Sequence, residues 1–93
     1  MSAPAEVRPG RIHVIVSTDT DLLALRSAIE SLPDGFPAVT AATTWAPDPI
    51  GDLHDARCVL VRLLGGRRAW PEGFDRLRAE CAERGVALLA FAG

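Results

Sequence analysis

The stretch at residues 57–64 constrains the fold of this chain more than any other feature of its sequence. It is rich in β-branched and aliphatic residues, and apolar side chains occupy both alternating sets of positions. Strands of this kind are typically buried on both faces, at the centre of a parallel sheet. The segment therefore predicts a central parallel strand with helices packed on either side of the sheet.

Three further segments have the pattern of strands, at residues 11–17, 38–45 and 86–91. Helical patterns or loops separate them, and such alternation is typical of a parallel α/β sheet. Right-handed crossovers leave few possible strand orders. We therefore expect a flavodoxin-like three-layer sandwich, with a four-stranded parallel sheet in the order 2-1-3-4.

The helices are predicted from apolar spacing and from residues that begin or end helices. The polar loop at residues 17–21 precedes leucines and an isoleucine at helical spacing, and Pro33 ends this first helix. Pro71 suits the first position of a second helix, and Gly85 suits its C-terminal cap. Residues 50–56 fit either a single helical turn or a loop.

The length and net charge of the chain argue against several classes of function. The 93 residues suit one small domain, predicted at residues 11–93 after a flexible N-terminal arm at residues 1–10. The net charge of −2 argues against a nucleic-acid partner. We expect no membrane span, because no apolar run approaches ~20 residues, and we expect a cytoplasmic location, because the N-terminus has no apolar signal core. The chain contains no Lys, which disfavours a phosphate-binding Walker motif or a response-regulator receiver.

The fourth predicted strand, at residues 86–91, is almost wholly apolar although it lies at an edge of the predicted sheet. Natural sheet edges are usually short, charged or covered. We therefore expect this chain either to be a fragment of a larger protein or to pair with a partner through this strand, for example as a homodimer.

Ligands of open α/β sheets bind beyond the carboxyl ends of the strands, which directs attention to Arg62. This residue interrupts the apolar central strand, and a buried Arg requires a partner. Asp19 and Asp21, after the adjacent first strand, are the nearest candidates. Arg62 is either a clamp for an anionic ligand or one half of a structural ion pair.

The turn after the central strand supplies the other tentative ligand-binding residues. Gly65 and Gly66 either form a tight turn or admit a ligand close to the backbone. Arg68 is either a solvated turn residue or a ligand contact, and Trp70 either packs on the second helix or offers a flat binding face.

No catalytic residue and no metal ligand is predicted. His13 and His54 are isolated imidazoles without ligand spacing. Cys58 and Cys81 lack the spacing of a redox motif and are expected to be buried free thiols. From the residues alone, the chain is an α/β domain with no visible catalytic constellation.

Residues 61–74, with the sequence VRLLGGRRAWPEGF, resemble the N-terminal segment of the cobaltochelatase large subunit, in the cobalt/magnesium chelatase large-subunit family. Gly85 and the segment LLAFAG at residues 88–93 continue the likeness, and the polar loop at residues 17–23 is similar to the one opening the family's first helix. Ala92 and Gly93 stand where the family has Pro-Gly and its chain continues.

This resemblance implies a part in ATP-dependent insertion of cobalt into a corrin-type tetrapyrrole during aerobic cobalamin biosynthesis. It implies a ligase-type enzyme complex, in which ATPase subunits and the remainder of the large subunit are the partners. Cobalt, ATP and tetrapyrrole belong to the complete complex, so this chain is expected to bind no cofactor and to be inactive by itself. The alternative is a stand-alone flavodoxin-like interaction module that dimerises or pairs through its last strand.

Overall fold

The computed structural model describes residues 10–92, so most of the predicted N-terminal arm and Gly93 lie outside the described residues. The described elements are, in chain order, β1 (Arg11–Val16), α1 (Asp19–Glu30), β2 (Val39–Thr43), β3 (Ala56–Leu63), a 3-10 helix (Gly66–Ala69), α2 (Pro71–Arg84) and β4 (Ala87–Ala92). Each predicted strand and helix is present, with bounds that differ by a few residues.

The four strands form one parallel sheet in the order β2-β1-β3-β4. This confirms the predicted α/β fold, its strand order and the edge position of the last strand. Thr18 caps α1 by accepting a hydrogen bond from the Asp21 amide at 3.1 Å. Gly85 ends α2 in the left-handed conformation, with φ of 68°.

The buried core lies between the sheet and α2. Val59, Val61 and Ile15 project from the central strands towards Leu77 and Cys81 of α2. The loop before β3 contributes Ile50 and Leu53 to the same core, which settles residues 50–56 as a loop rather than a helical turn.

The opposite side of the sheet is covered only in part. Helix α1 packs against β2 and β1, and none of its residues is buried. On β4, Leu89 and Phe91 point to this side and are 52% and 55% exposed. The expectation that β3 is buried on both faces is therefore wrong, because no helix among residues 10–92 covers the α1 side of β3 and β4.

A hydrogen-bond network joins β1 to β2 and to the loop before β3. The buried His13 contacts Thr40 Oγ1 through Nδ1 and the Pro49 carbonyl through Nε2, both at 2.7 Å. Because a carbonyl only accepts, Nε2 carries a proton, and in the neutral ring Nδ1 accepts from the Thr40 hydroxyl. Arg11 Nη1 donates to the same hydroxyl oxygen at 2.8 Å and also pairs with Asp55. A neutral imidazole therefore satisfies all of these contacts.

We predict that the free energy of unfolding falls as the pH drops below 6.5. Burial is the largest effect on His13 and lowers its pKa below the ordinary 6.5; the Arg11 charge acts in the same direction, against the Pro49 hydrogen bond and Asp48. Since the unfolded chain then binds more protons, the stabilisation is complete above pH 6.5 and is lost towards the lower folded-state pKa. Urea unfolding at a series of pH values measures this, and His13→Gln should flatten the slope.

The matched control is His54→Gln, because His54 is exposed on the loop before β3 and lies outside this network. Equal slopes for His13→Gln and the unsubstituted chain would contradict the role assigned to His13.

Candidate functional site

Arg62 lies at the carboxyl end of β3 on the α1 side of the sheet. Its Nη1 is 3.4 Å from Asp21 Oδ1, so the predicted carboxylate partner is Asp21 and not Asp19. The side chain of Arg62 is 55% exposed, which corrects the expectation of a buried Arg. The guanidinium reaches water because no helix within residues 10–92 covers this side of β3.

Two adjoining cavities of about 350 and 210 Å³ run between α1 and the sheet. They share Val14, Leu25 and Leu60, so we treat them as one groove and call it the α1 trough. Its walls are almost entirely apolar, and its polar groups are Asp21 and Arg62 at the end where the strands finish. Its residues are Ile12, Val14, Val16, Asp21, Ala24, Leu25, Ala28, Ile29, Leu32, Phe36, Val39, Leu60, Val61, Arg62 and Phe91.

The turn after β3 lies on the α2 side. Gly65 and Gly66 both have positive φ, 92° and 75°, a conformation that suits glycine, and they lead into the 3-10 helix. Arg67 pairs with Asp75 at 2.8 Å, and its guanidinium lies 5.5 Å from the centre of the Phe74 ring. A cavity of about 320 Å³ here is lined by Gly66, Arg67 and Phe74 with Leu63 and residues 90–92.

Trp70 packs against the core at the start of α2 and leans on Gly73. A Cβ at position 73 would lie 2.0 Å from Trp70 Cε2, so glycine is what lets the indole lie flat on the helix. Arg68 is exposed and makes no hydrogen bond or ion pair within residues 10–92. Of the predicted ligand-binding residues, Arg68 is therefore the one with a free guanidinium.

The five predicted ligand-binding residues are thus divided between the two sides of the sheet. Arg62 lines the α1 trough, whereas Gly66 lines the cavity beside α2, next to Gly65, Arg68 and Trp70 in the chain. They share the carboxyl edge of the sheet but no single pocket. Their binding of a ligand stays a prediction.

Other chemistry-bearing residues serve the fold. Ser17 Oγ accepts a hydrogen bond from the Leu64 amide at 2.9 Å, which joins the ends of β1 and β3. His54 is exposed, with Nδ1 3.9 Å from Asp52. Cys81 is buried in the core, and burial raises the pKa of its thiol, whereas Cys58 is half-buried on β3. No group of three metal-ligating side chains occurs in the described part of the chain.

The chain is similar to the aerobic cobaltochelatase subunit CobN of Pseudomonas aeruginosa. The two are 30% identical over a 93-residue alignment that covers 91% of this chain and 7% of that protein. The similarity supports the resemblance inferred from residues 61–74 and concerns a small part of the longer subunit. No protein-family model and no solved structure matches the chain significantly.

No helix within residues 10–92 is long and apolar enough to cross a bilayer.

The sequence interpretation missed the α1 trough. Its floor comes from Leu60 and Phe91, which the sequence pattern shows only as apolar strand residues. The signal that was present is the pair Ala24 and Ala28, one helical turn apart on the flank of α1. Small residues at that spacing leave room beside a helix, but spacing alone does not say what fills it.

We predict that Gly73→Ala destabilises the fold by roughly 1–3 kcal/mol, because the added methyl overlaps the Trp70 indole. In a helix without this contact the same change would stabilise by roughly 0.5–1 kcal/mol. A double-mutant cycle with Trp70→Ala, followed by urea unfolding, measures both effects. If Gly73→Ala destabilises equally in the Trp70→Ala background, the contact between these residues is not the cause.

Proposed function

We propose that this chain is a non-catalytic α/β module of the cobaltochelatase large-subunit type. In this role it takes part in ATP-dependent insertion of cobalt into a corrin-type tetrapyrrole in aerobic cobalamin biosynthesis. The observation that carries the proposal is the similarity to CobN over 91% of the chain, including the turn at residues 61–74. The chain spans 7% of that protein's length, so the module would work within a larger assembly.

A supporting role fits the chemistry of the described residues. They hold no cluster of three metal-ligating side chains, and Ser17 and His13 are occupied by structural hydrogen bonds. Cobalt and ATP would then be bound by the remainder of the large subunit and by the ATPase subunits. The module would act in the cytoplasm, where thiols such as Cys58 and Cys81 stay reduced.

The carboxyl edge of the sheet is where such a module would border the tetrapyrrole. Arg68 has a free guanidinium that suits ring carboxylates or amide oxygens. Gly65 and Gly66 would let backbone N–H groups approach the ring, and Trp70 would offer an indole edge beside them. Arg62 would contribute from the α1 side of the same edge.

The proposal predicts that this chain can replace the matching segment of the Pseudomonas aeruginosa subunit. A chimera in which the chain substitutes for the aligned residues should retain cobalt insertion in the assembled enzyme. The matched control carries Gly73→Ala in the substituted segment, which weakens its fold. A soluble, assembled chimera without any cobalt insertion would contradict the proposal.

Contact with the tetrapyrrole predicts quenching of Trp70 by a cobalt-free corrinoid. The titration uses Trp45→Phe, which leaves Trp70 as the sole tryptophan. Arg68→Ala should raise the dissociation constant roughly 10- to 150-fold, since a charge-assisted hydrogen bond contributes ~1.5–3 kcal/mol. Arg78→Ala, an exposed Arg on α2, is the matched control. Absence of quenching at high corrinoid concentration would contradict contact with the tetrapyrrole and leave the module a purely structural role.

A second candidate function is a stand-alone interaction module. It is favoured by β4, which lies at the edge of the sheet with Leu89 and Phe91 about half exposed. Strand pairing there would extend the sheet and cover part of this apolar surface. A dimer in sedimentation equilibrium that dissociates on Leu89→Lys would favour this function over the chelatase module.

A further inference from the structure

The α1 side of β3 and β4 is an apolar surface without a covering helix among residues 10–92. Leu60 is half-buried beneath the trough, and Leu89 and Phe91 are more than half exposed beside it. All-parallel sheets occur almost only with both faces covered, since a bare face leaves apolar strand residues in water. This surface therefore has the character of an interface.

The uncovered area is one helix wide. Neighbouring strands lie about 4.8 Å apart, so two strands span about 10 Å. Packed helices lie about 8–10 Å apart, so each helix on a sheet covers about two strands. Helix α1 lies over β1 and β2, and the next helix position on this side is over β3 and β4.

The flank of α1 that faces this position is shaped for close helix packing. Ala24 and Ala28 line the trough at a spacing of four and are exposed, whereas Leu25 and Ile29, which also line it, are half-buried. Small residues on one helix let a second helix approach closely. The trough is thus bounded by apolar residues of the sheet and, along one side, by small side chains of α1.

The positive charge of Arg62, at one end of the trough, favours an occupant with an acidic group at that end. Arg62 has one long contact of 3.4 Å, to Asp21, and its guanidinium is 55% exposed. Its remaining N–H donors suit a carboxylate. Acidic side chains are favoured in the first turn of a helix, where they also meet the positive end of the helix dipole. A helix parallel to α1, which itself begins at the carboxyl ends of the strands, would place its first turn beside Arg62.

A second copy of this chain does not fit the trough well. The apolar residues of α2 are already buried in the core. The exposed surface of helix α1 carries Arg26 and Glu30, together with Leu23, which is 67% exposed. Laying these charged residues on Leu89 and Phe91 would cost desolvation energy. The exposed charges of α1 therefore disfavour a second copy of this chain as the occupant.

We propose that the α1 trough is the docking site of one amphipathic α-helix of a partner protein. Its apolar stripe packs on Leu60, Leu89 and Phe91, its flank packs against Ala24 and Ala28, and a carboxylate in its first turn pairs with Arg62. This inference rests on the sheet surface alone and does not require the chelatase proposal.

The test uses synthetic 18-residue helical peptides with leucines at helical spacing. One peptide has Glu in its first turn, a second has Lys at the same position, and a third is a scrambled sequence with the composition of the first. Binding is measured by fluorescence anisotropy of labelled peptides, and sedimentation equilibrium of the chain alone reports self-association. We expect the Glu peptide to bind at least tenfold more tightly than either of the other two.

Three substitutions at exposed positions test whether the peptide binds in the trough. Ala28→Arg fills the trough and should weaken binding of the Glu peptide at least tenfold, whereas Ser27→Arg, one position along the same helix and outside the trough, should not. Arg62→Glu should reverse the preference, so that the Lys peptide binds more tightly than the Glu peptide. Such a charge swap distinguishes a specific pair from a general loss of stability.

Equal binding of the Glu, Lys and scrambled peptides, or equal effects of Ala28→Arg and Ser27→Arg, would overturn the proposal. A dimer of the chain that Ala28→Arg dissociates would overturn it as well, since the trough would then be occupied by a second copy. Failure of the cobaltochelatase chimera leaves these outcomes unchanged, because the peptides probe only this surface.

Discussion

The packing of α2 against one face of the sheet is the interaction on which the rest of the structure depends. Leu77 and Cys81 are almost wholly removed from water against Val59 and Val61 of the central strand. Burying a side chain of this size stabilises a fold by about 1.5–3 kcal/mol. This layer also fixes the turn after β3, because Trp70 and Phe74 begin α2 directly on that core.

The other face of the sheet is less completely buried. Helix α1 has a good N-cap and apolar residues at helical spacing, but it buries none of them completely. It covers two of the four strands, and the remaining apolar surface continues to the β4 edge. The proposed helix-docking surface rests on this asymmetry, since a docked helix would supply the missing cover.

Sequence reasoning reached the strand order because alternating elements and right-handed crossovers leave few choices. It also limited the partner of Arg62 to Asp19 or Asp21, because adjacent parallel strands bring their carboxyl ends together, and the structure shows that the partner is Asp21. It failed on the burial of Arg62, since an apolar pattern on both faces of β3 does not reveal whether a helix lies above each face. The hydrogen bonds of His13 could not be predicted from the sequence either, because its partners Thr40 and Pro49 come from distant parts of the chain.

The two faces of the sheet differ in how completely helices bury them, and native-state hydrogen exchange measures this difference. We expect the amides of α2 and β3 to exchange only through global unfolding. The amides of α1 should exchange through local opening at a much lower free energy. Equal protection of the α1 and α2 amides, in the chain alone, would show that the two faces of the sheet do not differ in this way.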